Sequence, residues 1–112
     1  MLIIAVSYDF EGLNRRIVAL QRTGHAVVPA SSLESCINAI FTGAYHVLII
    51  GATVPSADRI EIAKESRALR PQANIISVER SGMDRLEAAD ISVPAGNEEL
   101  LLQAVRKLEY GK

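Results

Sequence analysis

The stretch YHVLIIGATVP, Tyr45 to Pro55, constrains the fold of this chain more than any other. Past His46 it is apolar without a break from Val47 to Ile50, and it stops at Gly51. A strand with apolar side chains on both faces must be covered on both, which marks a central strand of a parallel sheet. Around it, short apolar runs alternate with helical patterns. Leu2 to Val6 reads as a buried strand, and Leu13, Ile17 and Leu20 then recur at helical spacing until Gly24. His25 to Ala30 is a second strand, whose Pro29 cannot donate to a ladder and so places it at a sheet edge. Ser31 and Glu34 have capping-box spacing ahead of Leu33, Ile37 and Ile40, and Gly43 closes that helix.

A third helix is expected from Asp58 to Leu69, stopped before Pro71. Asn74 to Val78 is a fourth strand. The segment Gly82 to Asp90 has room only for a helix of about two turns, and Ile91 to Val93 is a short fifth strand. Asn97 caps a last helix, with Glu98 and Glu99 in its first turn and Arg106 and Lys107 near its end, as the helix dipole favours. Leu101, Ala104, Val105 and Leu108 form its buried stripe. Right-handed crossovers between parallel strands then give a three-layer α/β/α sandwich. With the second strand at an edge, the expected order of the five-stranded parallel sheet is 2-1-3-4-5, flavodoxin-like, with a shortened fourth helix. In that order any ligand belongs in the crevice at the carboxyl ends of strands 1 and 3. Ser7, Tyr8 and Asp9, with Gly51, Ala52 and Thr53, are the residues placed there.

Composition removes several classes of function. Twelve Lys and Arg against thirteen Asp and Glu give a net charge of −1, which offers no general attraction to nucleic acid or to anionic membrane. The apolar runs are far shorter than the roughly 20 residues of a membrane span. The MLIIAVSYD start has no basic leader or cleavage site. A lone cysteine excludes an internal disulfide, so a cytoplasmic protein is expected. SYDFEG lacks the glycines of a dinucleotide loop, and two histidines and one cysteine at unrelated spacings make no zinc site. No cofactor, no metal and no enzymatic activity are expected.

At this point the chain resembles a receiver domain of bacterial two-component response regulators. The segment VSYDFEGLNRRIVALQRTGHAVVPASS is similar to that family's first strand, first helix and second strand. YHVLIIGATVPSADRIEIAKESRALRP resembles its third strand, the loop carrying Pro55 and Asp58, and the following helix. VPAGNEELLLQAVRKL, with Pro94, resembles its end segment. The resemblance implies a phosphoryl-accepting aspartate ending strand 3. It also implies an acidic pair for Mg²⁺ after strand 1, a Thr or Ser ending strand 4 and a Lys ending strand 5.

All five positions depart from that pattern. Gly51 stands at the phosphoacceptor, Ser7 and Tyr8 at the acidic pair, Glu79 at the hydroxyl and Val93 at the lysine. Gly51 supplies no nucleophile. Asp9 alone is a poor offer to Mg²⁺, which takes octahedral oxygen ligands. Glu79 brings a negative charge where an anion would sit, and Val93 supplies no cation. The stretch between Glu79 and Val93 is also shorter than the family usually has.

Each of these residues also has a plain structural reading. Gly51 is a tight turn or close packing at a strand end. Asp9 is a solvated carboxylate capping the first helix, and Glu79–Arg80 a surface pair. Tyr8 covers the crevice mouth or anchors a partner. Cys36 is a packed thiol, and His25 and His46 are structural or surface residues. Arg15, Arg16 and Arg22 form a basic ridge on the first helix, read as solvated or as a docking face for a partner.

The leading expectation is a degenerate receiver-like domain over residues 1–112, with no output domain, that signals without phosphate. It would bind a protein: a histidine kinase, a phosphotransfer protein or itself, a homodimer included. The alternative is a small-molecule-binding domain using room left in the crevice by Gly51 and Ser7, with Thr53 and Tyr8 orienting the ligand. A third reading makes Asp9 or Asp58 an ordinary phosphoacceptor.

Overall fold

The computed structural model describes residues 1–110; the end of the expected domain, up to Lys112, lies outside the described residues. In chain order the elements are β1 (Leu2–Val6), α1 (Phe10–Arg22), β2 (Ala26–Ala30), α2 (Leu33–Thr42), β3 (Val47–Ile50), α3 (Ser56–Leu69), β4 (Asn74–Glu79), β5 (Ile91–Pro94) and α4 (Glu98–Tyr110). All strand pairs are parallel, in the order β2-β1-β3-β4-β5. Fold class and strand order are as expected, and β2, with Pro29 in it, lies at the edge.

β3 explains why three layers form. Its side chains alternate by the strand's period of two. Val47 and Ile49 join Leu20, Leu101, Ala104 and Val105 in the core under α1 and α4. Leu48 and Ile50 join Cys36, Ile40, Ile62 and Ala63 in the core under α2 and α3. All four β3 side chains are fully buried.

Several boundaries move. The cap of α2 is Ser32 rather than Ser31: Ser32 Oγ accepts the Ser35 N–H at 3.1 Å, and Ser35 Oγ accepts the Ser32 N–H at 3.1 Å. The hydroxyl of Ser35 therefore does what was assigned to the Glu34 carboxylate. α3 begins at Ser56, directly after Pro55, ahead of the expected Asp58. Asn97 does cap the last helix, its Oδ1 accepting the Leu100 N–H at 3.2 Å.

The expected short helix between β4 and β5 does not form; turns and extended backbone connect the strands instead. Side chains satisfy the backbone there in place of helical hydrogen bonds. Glu79 Oε2 accepts the Leu86 N–H at 3.0 Å, and Arg67 Nη2 donates to Ala88 O at 2.6 Å. Asp90 Oδ2 accepts the Ile75 N–H at 2.7 Å and pairs with Arg67 at 2.8 Å. Leu86 is thereby laid into the core under α2 and α3. Asp90→Ala should strand the Ile75 N–H, costing about 1–3 kcal/mol in urea unfolding and speeding amide exchange at Ile75. Unchanged exchange would show that Asp90 does not hold the segment.

Candidate functional site

The carboxyl ends of β1, β3, β4 and β5 meet in one crevice, because strand polarity in a parallel sheet puts them there. From β1 come Ser7, Tyr8 and Asp9. Ser7 is buried, and its Oγ lies 3.0 Å from Thr53 Oγ1. Thr53 Oγ1 also accepts the Tyr8 N–H at 2.9 Å, which ties the loop after β3 to the loop after β1. The Tyr8 hydroxyl donates to Asp58 Oδ2 at 2.8 Å. Burial, then the Asp58 hydrogen bond and charge, then the nearby Cys36 thiol, push the Tyr8 hydroxyl up to about 12. Asp9 occupies the N-cap position of α1, but its carboxylate makes no capping bond; its carbonyl accepts the Leu13 N–H at 2.9 Å and, at 3.4 Å, the Ser7 hydroxyl.

Gly51 is a matter of space, since its backbone is not in the left-handed region. A Cβ there would meet Val6 O at 2.9 Å, and Arg16 Nη1 and Ser7 Cβ at 3.2 Å each. The room expected at Gly51 and Ser7 for a small molecule is taken by the chain's own backbone and by arginine.

Two arginines occupy the crevice. Arg59, from α3, is 2% exposed. Its Nη1 donates to Gly51 O at 2.6 Å, and its Nη2 donates to Ser77 Oγ and to Val78 O at 3.2 Å. Ser77 Oγ in turn donates to Glu79 Oε2 at 2.8 Å. The carboxylate thus balances the buried cation through one hydroxyl. Burial pulls the Arg59 guanidinium down from its ordinary value, while the charge of Glu79 supports it. Arg16, from α1, is the second. It was expected on an exposed ridge, yet it is buried, because it sits three residues after Leu13 and four before Leu20 on the inward face. Its Nη2 pairs with Glu98 Oε1 at 3.1 Å, fastening α1 to the first turn of α4. Arg15 and Arg22 remain exposed.

Glu79 is no surface partner of Arg80. Its Oε2 collects the Ser77 hydroxyl, the Leu86 N–H and, at 3.4 Å, the Ser92 hydroxyl. Burial alone would raise its carboxyl, but these hydrogen bonds and Arg59 outweigh that and hold it below the ordinary 4.5. Val93 is buried in the core under α1 and α4, away from the polar groups.

Sequence reasoning missed Arg59 altogether. The available signal was its spacing: it precedes the buried Ile62, Ala63 and Ser66 at helical intervals, a charge on an inward stripe. Apolar Ile60, which periodicity favours as core, is 61% exposed.

The donor set does not suit a divalent cation. The carbonyl of Gly51 is taken by Arg59, the oxygens of Ser7 and Thr53 face each other, and two guanidinium groups flank the spot. Among the described residues no three His, Cys, Asp or Glu side chains are grouped as metal ligands, and no helix is long and apolar enough to cross a membrane.

No protein-family model matches the sequence, and no curated protein is significantly similar to it. Solved structures are similar. A response regulator receiver domain protein of Methanospirillum hungatei is 13% identical, with 97% of this chain and 94% of that one covered at a TM-score of 0.81. The response regulator TrrA of Thermotoga maritima, solved with Mg²⁺ and BeF, is 24% identical over 96% and 97% of the two chains, with a TM-score of 0.80. TrrA in complex with the histidine kinase ThkA is similar at 26% identity over 96% and 97%, with a TM-score of 0.81.

Gly51→Ala should cost about 1–3 kcal/mol, because backbone oxygen cannot yield to the new methyl; denaturant unfolding reads it, and a neutral result would mean the crevice is looser than its distances. For Glu79 the sign follows from its lowered value. Its stabilisation is complete above about 4.5 and is lost as pH falls through the folded value. The stability gap between wild type and Glu79→Gln should therefore be widest near neutrality and close on acidification, as urea midpoints across that range would record. The chain has the fold of the response regulator receiver domain.

Proposed function

We propose that this chain is a receiver-type signalling module that takes no phosphoryl group and works by binding protein partners. The observation that carries this reading is the end of β3. Gly51 offers no nucleophile there, its carbonyl is bonded to the buried Arg59 guanidinium, and the space for a side chain is closed. Acceptance of a phosphoryl group needs an activated nucleophile. Neither other acidic candidate replaces it: Asp58 holds the Tyr8 hydroxyl and Asp9 sits at the start of α1. Two guanidinium groups, those of Arg16 and Arg59, already stand beside that strand end.

Binding then falls to the outer surface. On α1, exposed Arg15 and Arg22 flank exposed Val18, with exposed Phe10 at the start of the helix. Basic groups around apolar ones suit an acidic, partly apolar protein surface, and a histidine kinase, a phosphotransfer protein or a second copy are the partners considered. The test is incubation with Mg²⁺ and acetyl phosphate or beryllofluoride. Intact mass should show no acylphosphate, and ¹⁹F NMR no bound fluoride; a stoichiometric adduct at either would overturn the proposal.

A further inference from the structure

The opposite end of the sheet, where the loops before β3 and β4 meet, holds a cavity of about 480 Å³. Tyr45, His46, Leu69, Arg70, Pro71 and Gln72 line it, and no Asp or Glu does. The volume lies within the range of small-molecule sites. We infer that this cavity is a binding site for a small organic anion, a carboxylate or a phosphate ester with an apolar body, independent of the crevice.

Two of the lining residues carry donors that the chain does not use. Arg70 Nε donates to Gly43 O at 3.0 Å and its Nη1 to Leu69 O at 3.2 Å. Those bonds fix the plane of the guanidinium and leave Nη2 without a protein acceptor among the described residues. Arg16 Nε is the one buried side-chain nitrogen or oxygen lacking a partner there, so Arg70 Nη2 reaches solvent. No carboxylate pairs with Arg70 among the described residues either, so its charge is uncompensated. His46 Nδ1 accepts the Leu2 N–H at 3.0 Å. A neutral imidazole that accepts at Nδ1 carries its proton at Nε2, so it has a donor to offer. Gln72 is exposed and can supply an amide N–H.

Donors without acceptors of negative charge select an anion, and a preorganised guanidinium gives charge-assisted hydrogen bonds at little entropic cost. Tyr45, Leu69 and Pro71 provide apolar wall for the remainder of the ligand. A free inorganic ion would leave that wall uncovered.

The experiment is an amide NMR titration of the ¹⁵N-labelled protein with benzoate, phenyl phosphate and the neutral isostere benzamide. Saturable shifts are expected around residues 44–46 and 69–73 with at least one of the two anions, and weaker or none with benzamide. Which anion binds more tightly distinguishes a carboxylate site from a phosphate site. Arg70→Gln should weaken binding about tenfold or more. That variant also gives up the bonds to Gly43 and Leu69, so the anion-against-amide contrast on the unaltered protein stands as the second measurement. No saturable shift with either anion up to about 20 mM, shifts centred elsewhere, or equal binding of benzamide would each overturn the inference. None of these outcomes bears on phosphorylation of the crevice.

Discussion

The buried guanidinium of Arg59 is what the carboxyl end of this sheet is organised around. Moving a cation out of water costs several kcal/mol unless hydrogen bonds and a counter-charge replace the lost solvent. Here Gly51 O, Ser77 Oγ and Val78 O surround it, and Ser77 relays it to Glu79. The hydroxyl can bridge because it both accepts and donates. Glu79 then reaches onward to Leu86 and Ser92. One side chain from α3 thus joins the end of β3, the end of β4, the connection that follows and β5.

This chain of bonds accounts for the missing helix. A short segment between β4 and β5 has few helical hydrogen bonds to gain, and nucleating them is costly. Glu79, Asp90 and Arg67 instead bond its backbone directly while Leu86 enters the core. The irregular connection is therefore an ordered part of the fold, fastened at both ends by carboxylates.

Arg16 plays the matching part on the other face. It fills the space beside Gly51 and reaches Glu98, so α1 and α4 meet across the crevice. Ser7 and Thr53 are bonded to each other and Tyr8 to Asp58, so most polar groups lining the crevice are engaged within the chain, Arg16 Nε excepted. Hydrogen bonds already made within the chain are not free for a ligand or a reacting group.

From the sequence alone, the apolar run at β3, the alternation of elements and Pro29 were sufficient for the layers, the strand order and the edge. These are one-dimensional properties: periodicity, turn residues and a missing amide donor act locally and survive any packing detail. The emptiness of position 51 was legible in the same way. What filled it was not. Arg16 read as a surface charge and Arg59 was not singled out, because charged side chains are rarely buried unless paired, and their partners lie farther along the chain, at Glu98 and at Ser77 with Glu79. Only the tertiary structure brings those groups within hydrogen-bond reach, and only that proximity makes burying the two cations favourable.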